Sequence, residues 1–204
     1  MKIIGVAGQR RNGKDEIADH LASILNESES IRWHRTSFAK NVKKVFCETF
    51  NVDYDFVEKW KTESCPPPGF EKNIRESLQF IGDGFRKMQP NIWMDLVFKN
   101  LNKPIIISDC RYINEVNKIK SLDGICVFVW RSGFENNDLN ESESQLRPMV
   151  DWVMENGEKP PYADSFDYIV KNNGTLEDLY AKIEDEIFPS IVKNIAVCEN
   201  GSQI

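Results

Sequence analysis

Apolar and polar positions along this chain keep two periods. Short apolar runs at 2–7, 31–36, 104–108, 125–130 and 167–170 read as strands. Between them, apolar residues recur three and four apart at 14–27, 39–50, 72–87, 91–101, 112–121 and 175–187, the spacing of helices with one buried face. Ala18, Leu21, Ala22 and Leu25 are one such stripe. Ile3, Ile4, Gly5 and Val6 carry no charge, and Pro104–Ile107 and Ile125–Trp130 are almost wholly apolar, as strands covered on both faces should be. Strands alternating with helices predict βαβ units, a parallel sheet and right-handed connections.

Three stretches break the rhythm. Residues 51–71 contain Cys65, Pro66, Pro67, Pro68 and Gly69, a composition that excludes regular helix and inner strand. Residues 132–147 are polar, with Asn136, Asn137, Asp138 and Asn140–Ser144, and predict a mobile surface segment. The tail from Asn194 to Ile204 predicts loose order. No internal repeat is present.

The junction of the first strand and first helix reads G-Q-R-R-N-G-K, from Gly8 to Lys14. Gly8 and Gly13 allow a tight wrap, so that backbone N–H groups turn inward and the helix N-terminus faces an anion. Lys14 can reach outer phosphates as a point charge. Arg10, Arg11 and Asn12 lie inside the loop; the arginines could flank phosphates or offset nearby acids. Such loops usually continue with Ser or Thr, whose hydroxyl touches Mg2+. Asp15 and Glu16 stand there instead. Asp15 is a metal-shell candidate, or equally a first-turn acid that helps the helix start.

Composition narrows the chemistry. The chain has 204 residues, enough for one full core, and a net charge of −6, which argues against broad nucleic-acid binding but not against a local phosphate site. No run has the length of a membrane span, and no secretory segment opens the chain. Five cysteines without close pairing fit a reducing compartment, and two histidines, His20 and His34, disfavour zinc or a serine–histidine relay. Lys, Arg, Asp and Glu are left to act.

Strand ends supply them. Ser108-Asp109-Cys110-Arg111 closes the third strand, where the ligand crevice of an open parallel sheet lies. Asp109 could hold magnesium or a water of its shell, and Arg111 could point at a phosphate; Asn114 and Glu115 read as capping or first-turn charge. Arg131 follows the fourth strand and could stabilise a moving phosphoryl group; Arg147, before Pro148, could do so from a flap or simply bound a helix. Arg75, Gln79, Gly82 and Arg86 fall on one helical face, suited to a phosphate and a base, although the arginines could pair with Glu71 or Asp83. Leu78, Phe80, Ile81 and Phe85 read as core. Ser37 is a plausible N-cap, and Phe38 either stacks on a base or plugs the core. Asn172-Asn173-Gly174-Thr175 reads as a turn into a helix.

Taken together, residues 8–19 (G-Q-R-R-N-G-K-D-E-I-A-D), 37–43 (S-F-A-x-x-V-K), 75–86 (R-E-S-L-Q-F-I-G-D-G-F-R) with Trp93, 109–115 (D-C-R-Y-I-N-E) and 167–175 (D-Y-I-V-x-N-N-G-T) resemble the deoxynucleoside monophosphate kinases of bacteriophages. The resemblance implies an α/β, three-layer P-loop NTPase fold with a five-stranded parallel sheet and helices on both faces. It implies one kinase domain over 1–204, with an acceptor-binding helical insertion at 38–100 and a lid-like segment at 132–148. It further implies ATP and Mg2+ as cofactors and a deoxynucleoside 5′-monophosphate as acceptor, in the cytoplasm (the host's, if phage-encoded). No nucleic acid or membrane is implied as a partner; a homodimer is compatible, and the sequence sets no oligomeric state. The donor would lie on Gly8, Arg10, Arg11, Asn12, Gly13, Lys14, Asp15 and Glu16, the metal on Asp15 and Asp109, the acceptor on Phe38, Arg75, Gln79, Arg86, Trp93 and Arg111. Lys14, Asp109, Arg111 and Arg131 would carry the chemistry. Glu16 departs from the family's usual threonine, and Asn140–Glu143 lacks the histidine common in family lids. Kinases of other small acceptors (shikimate, gluconate, phosphomevalonate, dephospho-coenzyme A) share the general design, and a non-catalytic ATP-binding protein is a further reading.

Overall fold

The computed structural model describes residues 2–28, 31–99, 101–133, 144–155 and 158–193. The chain divides into two compact units, one of residues 1–36 and 102–204, the other of residues 37–101.

In the first unit, β1 (Ile3–Ala7) leads through the glycine loop into α1 (Lys14–Ser28), and β2 (His34–Thr36) follows. The second unit comprises α2 (Ala39–Phe50), α3 (Tyr54–Trp60), α4 (Ile74–Met88) and α5 (Ile92–Phe98). The chain then returns with β3 (Ile105–Cys110), α6 (Ile113–Ser121), β4 (Ile125–Trp130), α7 (Arg147–Glu155), β5 (Tyr168–Lys171) and α8 (Leu176–Lys182), which runs on into a π-helical turn at Ile183–Ile187.

The sheet is five-stranded and parallel, in the order β2-β3-β1-β4-β5. β1 is central, with Ile3 opposite Ile105 on one side and Gly5 opposite Cys126 on the other. One face buries Ile4, Val6, Ile106, Val127 and Val129 under Ile17, Leu21 and Leu25 of α1 and Leu179 of α8. The opposite face carries α6 so closely that a side chain on Gly5 would run into Ile119 and the Cys110 sulfur. Helices thus cover both faces, giving three layers. Because all strands are parallel, β1, β3, β4 and β5 deliver their C-terminal residues to one edge of the sheet.

The second unit has its own core of Phe46, Val57 and Ile74, ringed by Phe56, Trp60 and Phe70. Phe46 stacks on Phe70 with centroids 5.9 Å apart. Asn73 caps α4 by accepting the Glu76 N–H at 2.9 Å.

All five expected strands form, the second shortened to three residues. Several expectations are corrected. Within 51–71, residues before the prolines make the seven-residue helix α3, because Asp53 caps it and Phe56, Val57 and Trp60 give it an apolar face. By contrast, the helix boundary read at Arg147 is present: a helix starts there, with Pro148 in its first turn, where no N–H is required. Phe80 is 77% exposed and Phe85 lies at the surface, so the core role read for both fails; α4 turns Ile74, Leu78 and Ile81 inward instead. Of the polar stretch at 132–147, residues 134–143 lie outside the described residues, as does the tail 194–204. No helix among the described residues is long and apolar enough to cross a membrane.

Candidate functional site

The loop between β1 and α1 is built around its lysine. Lys14 is buried, and its Nζ donates to the carbonyl of Gln9 at 2.7 Å. Burial and the neighbouring Arg111 guanidinium pull the Lys14 ammonium down from its usual 10.5 to about 7, against the carboxylates of Asp15 and Asp109. An added negative charge beside the amine would favour its protonated form.

Backbone geometry explains the two glycines. Gly8 has φ 151° and Gly13 φ 97°, both in the region that disfavours side chains. A Cβ on Gly8 would overlap the Val129 carbonyl oxygen of β4, and one on Gly13 would overlap the Asn172 amide nitrogen beyond β5. Arg11 sits between them with φ 64° and an exposed side chain, while Gln9 and Asn12 are buried. Asn172 donates from its Nδ2 to the Asn12 carbonyl at 3.1 Å. The loop is therefore shaped from behind by the ends of β4 and β5.

Beside it, β3 ends in Asp109 and Arg111. Asp109 is half-buried and its charge acts on both Lys14 and Arg111. Burial lowers Arg111 below its usual range, with Asp109 and Glu115 opposing and Arg10 adding to the effect. Glu115 is the device that fixes this corner. It is buried at the start of α6, and its Oε2 accepts the backbone N–H groups of Arg111 at 2.8 Å and Tyr112 at 3.1 Å. Arg131 follows β4 at the same sheet edge, half-buried.

The first unit thus brings together Gly8, Arg10, Arg11, Asn12, Gly13, Lys14, Asp109, Arg111 and Arg131. Asp15 and Glu16 carry further partners, although the Asp15 charge also acts on Lys14. Asp15 is 72% exposed and its carboxylate is paired with Arg35 of β2, which also holds Asp19 at 2.6 Å and reaches Ser108 at 3.4 Å. Glu16 accepts from the Tyr180 hydroxyl of α8 at 3.4 Å. Arg147 begins α7 and donates to Asp151 at 2.8 Å, a helical i,i+4 pair.

Within residues 37–101, α4 does continue past Gly82, so Arg75, Gln79, Gly82 and Arg86 share a face. The Arg86 guanidinium lies over Gly82 and 3.6 Å from Asp83, and Arg75 reaches the Lys61 carbonyl at 3.4 Å. Phe38 is 2% exposed and packs edge-on against Phe98, the core-plug alternative. Trp93 is 1% exposed and its indole N–H donates to the Gly82 carbonyl at 3.0 Å. Both rings are buried. Ser37 does cap α2, accepting the Lys40 N–H at 3.1 Å.

Glu115 is the capping acid its place at the start of α6 predicts, whereas Arg35 and Asn172 have partners that sequence spacing does not show. Glu115 carried a local signal, three positions after a helix start. Asn172 was visible only as a turn residue, and nothing in the strand pattern pairs Arg35 with acids of α1.

The donor set fits magnesium in one respect. Mg2+ keeps several waters and takes only one or two carboxylates beside substrate phosphates. Asp109, at the strand end next to Lys14, matches that need; among the described residues no group of three or more histidine, cysteine or carboxylate side chains could cage a metal.

No protein-family model matches the chain. In overall structure it superposes on a dephospho-CoA kinase from Campylobacter jejuni with a TM-score of 0.50, at 12% identity, over 93% of this chain and 97% of that one. The fold is an α/β one, a five-stranded parallel sheet flanked by helices in a P-loop NTPase-like architecture. A shikimate kinase from Acinetobacter baumannii aligns over 93% of this chain and 94% of its own, at 15% identity and a TM-score of 0.47. By sequence the chain is a distant relative of a putative deoxynucleotide monophosphate kinase of Acanthamoeba polyphaga mimivirus, 28% identical over 202 residues, 90% of this chain and 94% of the relative.

Proposed function

We propose that this protein is a phosphotransferase that moves the terminal phosphoryl group of ATP to a small acceptor that itself bears a phosphate. The observation that carries the reading is the buried Lys14, bonded inside a glycine loop at the end of the central strand, with Asp109 and Arg111 beside it. Lys14 and the loop N–H groups would hold the donor phosphates, and Arg111 and Arg131 would balance charge on the group in transfer. Asp109 would hold Mg2+, which when bound neutralises the donor phosphates. An oxygen of the acceptor phosphate would attack the terminal phosphorus in line, with no covalent intermediate on the protein.

The finer reading is a deoxynucleoside 5′-monophosphate as acceptor. Its support is the name of the viral relative, matched over nearly its full length, and the α4 face of Arg75, Gln79 and Arg86, which offers guanidinium groups for a phosphate and an amide for a base. In this reading residues 38–100 serve the acceptor, and residues 132–148 act as a lid. A second reading is another small acceptor, such as dephospho-coenzyme A, on the same fold.

A coupled assay for ADP release against the common deoxynucleotide and ribonucleotide monophosphates, dephospho-coenzyme A and shikimate decides between them. The expected result is turnover with one or more deoxynucleoside monophosphates and none with shikimate. Turnover with dephospho-coenzyme A alone would replace the finer reading, and ATP binding without any acceptor-dependent turnover would end the enzymatic one.

A further inference from the structure

Asn172 follows β5 and is 6% exposed, yet it belongs to no turn that needs its side chain. Its backbone N–H donates to the Trp130 carbonyl at 2.8 Å, extending the β4–β5 ladder by one bond. This anchors the residue so that its amide Nδ2 meets the Asn12 carbonyl at 3.1 Å across 160 positions of sequence. The same nitrogen occupies the space a Gly13 side chain would take. Asn12 itself reaches only to the Val129 carbonyl at 3.4 Å, and its Oδ1 is buried with no partner. The peptide that links Asn12 to Gly13 therefore has one good side-chain tie, and it comes from Asn172. The next residue is Lys14.

We propose that Asn172 is a positioning residue for anion binding: its amide holds the Asn12–Gly13 peptide in the orientation that presents the loop to polyphosphate. The inference rests on the phosphate-loop reading above and adds a residue from the far end of the chain. Its chemistry is specific. A donor is required at the Nδ2 position, because a carbonyl oxygen lies opposite. In Asn172→Asp the carboxylate would face that oxygen and repel it, whereas the protonated acid could donate its O–H to it.

The test is calorimetric binding of inorganic tripolyphosphate to the full chain, from pH 8 down to pH 5, for the parent, Asn172→Ala, Asn172→Asp, Asn173→Ala and Lys14→Ala, with thermal melts alongside. Asn172→Ala is expected to weaken binding by about 10-fold, the scale of one buried hydrogen bond with its stranded acceptor. Asn172→Asp is expected to bind worse than Asn172→Ala at pH 8 and to recover relative to the parent as pH falls. Asn173→Ala should bind like the parent. Should Asn172→Ala not fold, the near-isosteric Asn172→Asp carries the test by its pH profile. If Lys14→Ala binds poorly while the Asn172 variants match the parent at every pH, the positioning role is overturned and the loop reading stands. If Lys14→Ala binds as well as the parent, the loop reading fails and this inference falls with it.

Discussion

The ammonium of Lys14 donates to the carbonyl oxygen of Gln9 from 2.7 Å, so the lysine of the glycine loop is anchored to the loop's own backbone. Replacing it removes the buried cation of the loop and strands a buried acceptor. Lys14→Met should lower kcat by about 100-fold or more, the scale of losing one transition-state contact. Unfolding stability should change by only about 1–2 kcal/mol, since one hydrogen bond is lost and a buried charge is removed. Steady-state assays with a parallel melt check both.

Burial holds the same ammonium near 7, well below its usual 10.5. Between those values the unfolded chain carries the proton and the folded one does not, so stability rises with pH across the window. This contribution is complete above 10.5 and is lost as pH falls through 7. Ligand-free protein should therefore gain stability from pH 7 towards pH 9 in urea titrations, and Lys14→Met should flatten the rise. At pH 8 polyphosphate binding should take up a proton, read by calorimetry in buffers of different ionisation enthalpy. The Lys14→Met protein should take up none there.

Gly8 and Gly13 tolerate no side chain for two reasons, positive φ and an occupied space. At Gly8 the obstacle is backbone, the Val129 carbonyl, while at Gly13 it is the Asn172 side chain, which can swing. Each alanine variant should lose about 1–3 kcal/mol, Gly8→Ala the more. Denaturant midpoints at constant m would show it, and equal losses would contradict the geometry.

Glu115 accepts two backbone N–H groups while buried, so its replacement leaves both donors without a partner. Glu115→Ala should cost about 2–4 kcal/mol and Glu115→Gln, which keeps one acceptor oxygen, about half of that. Arg111 rides on this peptide, so turnover should fall in both variants even where the protein remains folded at the assay temperature.

Arg35 pairs with Asp15 and Asp19 at the surface, where both acids are more than half exposed. Arg35→Ala should change stability by under about 1 kcal/mol, and less still at high salt. The pairing also separates the two acids proposed for the metal. Asp109→Asn should raise the Mg2+ requirement by about 10-fold or more, and Asp15→Asn by less than about 3-fold. Mg2+ titrations of turnover would reverse this assignment if Asp15→Asn were the more affected.

Every strand and six of the helices were legible in the chain because their signals are local. Period decides strand against helix, and G-Q-R-R-N-G-K between the two decides the loop. The helix at Tyr54–Trp60 was lost because the prolines after it coloured the reading of its whole neighbourhood. Phe80 was misread for a related reason. A helix of mixed face has several apolar positions, and spacing alone does not say which of them meets a neighbour; the packing of α2 and α5 against α4 turns Phe80 outward.

The sequence by itself determined that a strand feeds a helix through a glycine-rich turn ending in a lysine, and that Asp109, Arg111 and Arg131 stand at or just past strand ends. Those features depend on residues within a few positions of each other. Only the tertiary structure decided that Asp15 answers to Arg35, that Glu115 holds the Arg111 corner, and that Asn172 reaches the loop. The strand order β2-β3-β1-β4-β5 sets β5 beside β4, and β4 beside β1, at the edge where the loop emerges. Nothing in the local spacing around Asn172 or Asn12 records that neighbourhood, because it is created by the hydrogen-bonded order of strands far apart in the chain.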